Sequence, residues 1–458
     1  MKDRVLAGVS EMKITPPVGM WLLGPVAPST GVHDDLYART LVLSNGKHTA
    51  AIVCLDLAGT DLSFSDSLRA GVRQRTGIAT TLLNCTHTHS APFTIPWCEP
   101  WEWFRQEGRA WREELTEKVT EAVQRASEGL RPATLRAGRA PARVGINRRL
   151  MTEEGVVMEP NRGGAIVPWV DVLRVDAEGE PMALLFSHAA HPVIVHAASD
   201  LISADYPGFA VAALRQLLGG GTLAMFAQGC GANINGEPWR GGFEAAENCG
   251  RRLGEAVATA AQESEAIPLQ AARSVAGCAL KIAAITVKLP FQEMPTAGEC
   301  EAALARDQER LADAERAGQS EMETRYLRFN LWNLQGLWKR IKKGSPEPLR
   351  FEINALTIGD EWCLLTMPHE VFCEYQLWAD LESPFRHTMT LGYTNGCESY
   401  VPTDADLALG HLGGYEAAPA PTPGVAALCY RQRTALKVGI EGQIKQGIVR
   451  LWGRLRSS

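Results

Sequence analysis

The sequence predicts a single large α/β domain over residues 1–458, a mixed β-sheet flanked by helices, with a helical insertion at 297–343. Three observations carry that expectation. Apolar runs of strand length alternate along the chain with stretches of helical period. Residues 297–343 interrupt the alternation, being charged, helical in pattern and free of proline. No composition shift marks a linker: "APAPTPG" (418–424) reads as a loop, because motifs lie on both sides of it.

Each element follows from its pattern. "TAAIVCLDLAG" (49–59) and "TTLLNCTH" (80–87) read as buried strands, since short unbroken apolar runs suit strands covered on both faces. "WREELTEKVTEAVQRASEGL" (111–130) brings Leu115, Val119, Ala122, Val123 and Ala126 to one helical face. "MALLFSHAAHPV" (182–193) is a strand, "YPGFAVAALRQLL" (206–218) a helix, and "TLAMFAQGCGANING" (222–236) a strand entering a Gly/Asn loop. "FEINALTIGDEWCLLTMPHE" (351–370) reads as a hairpin with "GD" near its turn, and "HTMTLGYTNG" (387–396) as a last strand and turn. The tail at 430–458 reads as a basic amphipathic helix with Ile444, Ile448, Leu451, Trp452 and Leu455 on one face. Such a face suits packing on its own domain, a sister subunit in a homo-oligomer, or weak contact with an anionic membrane surface.

Composition narrows the function. Forty-six basic against 52 acidic residues give a net charge of −6, which offers nucleic acid no electrostatic footprint. No window approaches the ~18 apolar residues of a membrane span. The start, "MKDRVLAGVSEMKITPPVG", lacks a basic segment followed by a long apolar one, so no secretory signal is expected. Eleven cysteines without C-x-x-C pairs read as reduced thiols of a cytoplasmic protein. "QGCGANING" (228–236) lacks the Lys-Ser/Thr of a phosphate loop, which argues against nucleotide binding.

Five of the ten histidines fall in two short stretches, His87 and His89, then His188, His191 and His196. On a strand, His87 and His89 would face one side about 7 Å apart. Each stretch sits at the C-terminal end of an expected strand, and so do Glu370 in "MPHE" and Tyr400 in "GYTNGCESY". That edge of an α/β sheet is where ligands gather. Two histidines and a carboxylate form a common catalytic zinc set with a coordination position left open. His188 and His196 read as supporting or simply packed histidines, and Asp56 and Asp205 as partners for ring nitrogens or as structural caps.

These residues carry a resemblance. "CTHTHSAP" resembles the "GTHTHSGP" motif of the neutral (non-lysosomal) ceramidase family, and "FSHAAHPVIVHAASDLISADYPGFA" resembles its strand-to-helix segment with a second histidine ligand. "INRRL" (146–150) is similar to its "INR" motif, "MPHE" to its "PGE", "NGCESYVPT" to its tyrosine-bearing turn and "GGYE" (413–416) to its "RYE". The matches run in the family's order from residue 5 to about 416. The resemblance implies one zinc (Zn2+) held by His87, His191, Glu370 and Tyr400. It implies a proton-transfer role for His89 and substrate or oxyanion contacts for Arg148 and Tyr415.

The activity it implies is amide hydrolysis by zinc-activated water, on a small-molecule or lipid-like N-acyl amine. An esterase with the same site, and a zinc- or lipid-binding protein without activity, are the rival expectations. The chain departs from the family at Asn233, where aspartate is usual, and at Asn235, where ceramidases have serine. It also shows neither the signal peptide nor the C-terminal β-sandwich of secreted ceramidases, which favours a smaller substrate than ceramide. Ser90 is the nearby hydroxyl that could compete with water, and "FTIPWCEPWEWF" (93–104) could wall an apolar pocket.

Overall fold

The computed structural model describes residues 5–94, 107–268, 280–344, 346–430 and 432–457. Its main sheet is built from β1 (Val5–Lys13), β2 (Tyr37–Ser44), β3 (Thr49–Leu55), β4 (Thr80–Cys85), β5 (Arg131–Pro141), β6 (Trp169–Ala177), β7 (Glu180–His188) and β8 (Leu223–Gln228). Their spatial order is β8-β7-β6-β5-β1-β2-β3-β4. The sheet is mixed, with β3/β4 and β7/β8 parallel and the other pairs antiparallel. β3 shows why apolar runs mark strands here: six of its seven residues are buried, because both faces are covered.

A second sheet, β9 (Leu280–Leu289), β10 (Leu349–Ile358), β11 (Trp362–Thr366) and β12 (His387–Leu391), packs face to face on the first. Leu41, Ile52, Leu173 and Leu185 of one meet Leu356, Trp362, Leu364 and Met389 of the other in a continuous apolar layer. The expected hairpin at 351–370 is the centre of this sheet, turning at Gly359 with φ 59°, a conformation glycine adopts without strain. Helices α1 (Leu62–Thr76), α2 (Glu107–Glu128), α3 (Asp205–Leu218) and α4 (Gly242–Gln262) cover the outer face of the main sheet. The result is a four-layer α/β/β/α arrangement.

The segment expected as a helical insertion is a helical hairpin of α5 (Ala297–Arg316) and α6 (Glu321–Ile341). Both helices start with capping boxes, Thr296 with Glu299 and Ser320 with Glu323, which satisfy amide groups that would otherwise be orphaned. After α7 (Cys373–Glu382), the chain ends in α8 (Ile440–Ser457), a shorter helix than the 430–458 expected. Its apolar face is buried: Ile444, Ile448, Leu451, Trp452 and Leu455 lie on the outer face of the second sheet. Gly447 permits that approach, since a Cβ there would meet Val287 and Ile353 at 3.1 and 3.2 Å. Of the three partners considered for this face, its own domain takes it. No helix among the described residues is long and apolar enough to cross a membrane. The nine described cysteines are all free thiols, eight of them buried.

Candidate metal centre and cavity

The site forms where the loops after β3, β4, β7, β8, β11 and β12 converge. Asn84, in the last turn of β4, ties three of these strand ends together. Its amide donates to the carbonyls of Gly392 (2.8 Å) and Gln228 (3.2 Å) and accepts from the Gln228 N–H (2.8 Å). β4 and β8 lie at opposite edges of the main sheet, so this side chain laces the two edges to each other.

His87 and His89 are not on a strand. β4 stops at Cys85, and the backbone turns over at His87 with φ 67°. Its N–H donates to Leu57 O at 3.0 Å, which holds the turn. The ring nitrogens Nε2 of the pair are 3.2 Å apart and the rings nearly perpendicular, closer than alternate strand positions allow. His191 comes from the loop after β7, its N–H bonded to Ile234 O. Glu370 and Tyr400 arrive as register partners in a two-residue parallel pair, Glu370–Val371 with Tyr400–Val401.

Three of these side chains meet at one point. Glu370 Oε2 lies 3.3 Å from His87 Nε2 and 3.1 Å from His191 Nε2. The other nitrogen of each ring faces a backbone carbonyl, His87 Nδ1 at Ala58 O (2.5 Å) and His191 Nδ1 at Gly231 O (2.7 Å). A carbonyl only accepts, so each ring carries a proton on Nδ1 and turns its Nε2 toward Glu370. Burial and the nearby Arg148 charge push His191 down to about 3, which keeps it neutral at physiological pH. Even a protonated Glu370 could satisfy only one of the two nitrogens. The neutral His191 leaves its Nε2 facing another acceptor, and a cation at this point meets the carboxylate and both Nε2 atoms at once. The donor set of two imidazoles and a carboxylate fits zinc.

His89 is within reach of the same point: one donor atom each from His87, His89 and His191 lies within 4.8 Å of the others. Its Nδ1, however, is buried with no hydrogen-bond partner among the described residues. Metal-bound imidazoles are normally oriented through their second nitrogen, as His87 and His191 are and His89 is not. Burial and then the neighbouring His87, His196 and His191 rings hold its pKa well below the usual histidine value.

Arg148, from the strand Gly145–Thr152, donates to Glu416 Oε1 (2.8 Å), Asn235 Oδ1 (3.0 Å) and the Tyr400 hydroxyl (3.0 Å). Burial alone would disfavour its charge, but Tyr400, Glu416 and Glu370 keep it a cation. Thus Tyr400 sits beside the cluster with its hydroxyl on Arg148. Tyr415 packs edge-on against Tyr400, ring centroids 5.6 Å apart, and burial raises its phenol well above 10, so it remains a donor. Asn235 accepts from Arg148 and orients it. Asn233 accepts from Cys373 N–H and donates to Glu374, away from the cluster.

The remaining expectations divide. His196 lines the cavity, its ring 5.2 Å from that of His89. His188 is a packed residue, donating from Nδ1 to Trp169 O and accepting Val144 N–H at Nε2. Neither aspartate supports a ring nitrogen. Asp56 pairs with Arg39, and Asp205 accepts from Val195 and Tyr206 N–H, fixing the loop that carries His191. Ser90 is buried and does not line the cavity. Of the stretch 93–104 only Phe93 and Thr94 are described, and Phe93 lines the cavity; the rest lies outside the described residues.

Sequence reasoning missed three groups. The Tyr430 hydroxyl donates to Glu370 Oε1, and the Tyr393 hydroxyl lies 3.4 Å from Oε2. Glu416 is shared by Arg148 and Arg149. Two carried visible signals, since Tyr393 lies within "GYTNG" and Glu416 follows Tyr415 in "GGYE". The cluster opens into a cavity of about 400 Å³ whose apolar walls include Trp21, Leu23, Phe93 and Val193, with Tyr326 and Phe329 of α6 along one side. The helical hairpin therefore flanks the site.

No protein-family model and no curated protein matches the chain. Among solved structures it is similar to the neutral ceramidase from Pseudomonas aeruginosa. That match has a TM-score of 0.62 and 18% identity, and covers 94% of this chain and 73% of that one. A second, a ceramidase complexed with C2, gives a TM-score of 0.64 at 18% identity over 94% of this chain and 74% of that one. The fold is that of these neutral ceramidases.

Proposed function

We propose that the protein is a zinc-dependent hydrolase of the amide bond in N-acylated amines, a ceramidase-like enzyme acting on small or lipid-like substrates. One observation carries the reading: the Nε2 atoms of His87 and His191 converge on Glu370 at the buried end of a largely apolar cavity. His87, His191 and Glu370 would hold the zinc, with Tyr400 as fourth ligand. When bound there, zinc supplies Lewis acidity, lowering the pKa of a water and polarising the scissile carbonyl.

The chain's own residues do the rest. His89, neutral and 3.2 Å from His87 Nε2, takes the proton of the attacking water and delivers it to the departing amine nitrogen. Tyr415, protonated and lining the cavity, donates to the oxygen that becomes negative as the carbonyl is attacked. Arg148, fixed by Glu416 and Asn235, donates to the Tyr400 hydroxyl and leaves a positive wall beside the same oxygen. The apolar walls exclude water from the acyl group. A volume of about 400 Å³ falls in the range of sites for small ligands, which favours a modest N-acyl amine over a two-chain lipid.

The test is to load the protein with zinc and follow amine release from N-acyl amines of graded chain length, with an ester of the same acyl group alongside. About one zinc per chain is expected, largely lost in His87→Ala and in His191→Ala. His89→Ala should keep its zinc and lose roughly 10²–10⁴ in turnover. Full zinc retention in both ligand variants refutes the metal assignment. Metal loss from His89→Ala as complete as from His87→Ala makes His89 a ligand and removes it from the proton-transfer role. Faster cleavage of the ester moves the assignment to an esterase.

A further inference from the structure

The geometry points to an anionic substrate: the amine released carries a carboxylate, as in an N-acyl amino acid, and Arg240 at the cavity rim receives it. This rests on the amide-hydrolase reading and adds the chemistry of the amine. Arg240 is exposed and lines the cavity. Its guanidinium lies over the Trp239 ring, 4.3 Å from the centroid, and no carboxylate pairs with it among the described residues. The only acid among the described lining residues is Glu370, which belongs to the metal cluster, while Arg148 adds a second cation. With a divalent ion on Glu370, and Arg148 held by Glu416, the uncommitted charge among those residues is that of Arg240.

The position of Arg240 agrees with the chemistry of the leaving group. Rings run without a break from the proton-handling His89 to His196 (5.2 Å) and on to Trp239 (6.1 Å), which carries the guanidinium. In the hydrolysis, water oxygen bonds to the acyl carbon, the C–N bond breaks and the amine nitrogen takes a proton. An amine receiving that proton from His89 has its own substituents along this row of rings. A carboxylate there meets a guanidinium whose paired N–H groups match it geometrically.

The backbone supplies an independent argument. Arg240 is held at φ 57°, in the left-handed region, by its N–H bond to Val193 O. Glycine is the ordinary residue for that conformation, and the next two positions, Gly241 and Gly242, are glycines. A long charged side chain kept at a strained position on a cavity rim is a feature of binding sites.

The experiment compares N-lauroylglycine with N-lauroylglycinamide, equal in size and differing in charge, on the zinc-loaded protein. The glycine compound should be the better substrate, and Arg240→Gln should lower its kcat/KM about tenfold, the effect of one charge-assisted hydrogen bond. The glycinamide should change less than twofold. Arg240→Gly, which relieves the backbone strain, should fold at least as well and repeat the selective loss. Preference for the glycinamide, or an equal loss on both compounds in both variants, overturns the proposal. Failure to cleave any amide, neutral ones included, would instead refute the hydrolase reading beneath it.

Discussion

Glu416→Gln tests the carboxylate that two buried arginines share. Oε1 accepts from Arg148 Nε at 2.8 Å and Oε2 from Arg149 Nη1 at 2.5 Å, and all three side chains are almost fully buried. An amide keeps the size but replaces one acceptor with an NH2, so whichever way it turns one guanidinium faces a donor. Arg149 retains Asp406 at 2.8 Å and Gly413 O at 3.0 Å. Arg148 retains only the uncharged Asn235 and Tyr400. Removing one partner of a buried ion pair costs ~3–5 kcal/mol, and the surviving Asp406 contact sets the expectation at the lower end. Urea unfolding followed by circular dichroism should therefore show a fall of ~3 kcal/mol with an unchanged slope against denaturant. Turnover should fall as well, because Arg148 loses the anchor that aims it at Tyr400. A loss below ~1 kcal/mol, typical of exposed pairs, would mean the arginines find water or new partners, and would refute the account of a rigid Arg148.

The same structure sets three further outcomes. Protein quenched during turnover and weighed intact should carry no acyl adduct, because no serine or threonine is among the described residues lining the cavity and burial pushes the thiol of Cys429, which does line it, up to about 12; an adduct mapping to Ser90 or Cys429 would overturn direct attack by water. Burial holds His188 at about 4, below its unfolded value, so the unfolded chain binds more protons in acid. That contribution to stability is complete above ~6.5 and is lost as pH falls toward 4, by ~2–3 kcal/mol between pH 7.5 and 4.5. His188→Gln should flatten the profile, and parallel curves for the two proteins would contradict the assignment. Trp452 is buried on α8 and stacks on Trp378 at 5.9 Å, so Trp452→Ala should cost ~3–5 kcal/mol in denaturation, while the intact protein should not sediment with anionic vesicles. Salt-sensitive sedimentation would show that the helix leaves its sheet.

Much of the fold was legible because its strands are covered on both sides. β3, β4, β7 and β8 read as apolar runs, and the ends of β4 and β7 located the histidines. The second sheet was legible only as a hairpin and a strand, since nothing in 351–391 says that it packs on the main sheet. The conformation at His87 was hidden as well. A positive φ at a non-glycine residue is set by tertiary bonds, here to Leu57, so periodicity extended β4 two residues too far. The tail could be read as amphipathic, but an apolar helical face does not name its partner. Only the position of β9 and β10 decided it.

The deepest contribution to the site is a residue whose sequence signal is slight. Asn84 interrupts the apolar run of β4, where a buried amide would be costly unless fully bonded. It is bonded to the ends of β8 and β12, whose loops hold the carbonyl of Gly231 and the side chains of Tyr393 and Tyr400. Gly231 in turn fixes the tautomer of His191, as Ala58 after β3 fixes that of His87. The chain thus commits six strand ends to aiming two imidazoles and a carboxylate at one point. Such an arrangement keeps ionisable groups in a dry interior, where burial is costly unless they are fully paired. A packed core alone gives no reason for it. Binding a cation offsets that burial cost, and the rigidity of the site then holds the ligands in place for chemistry.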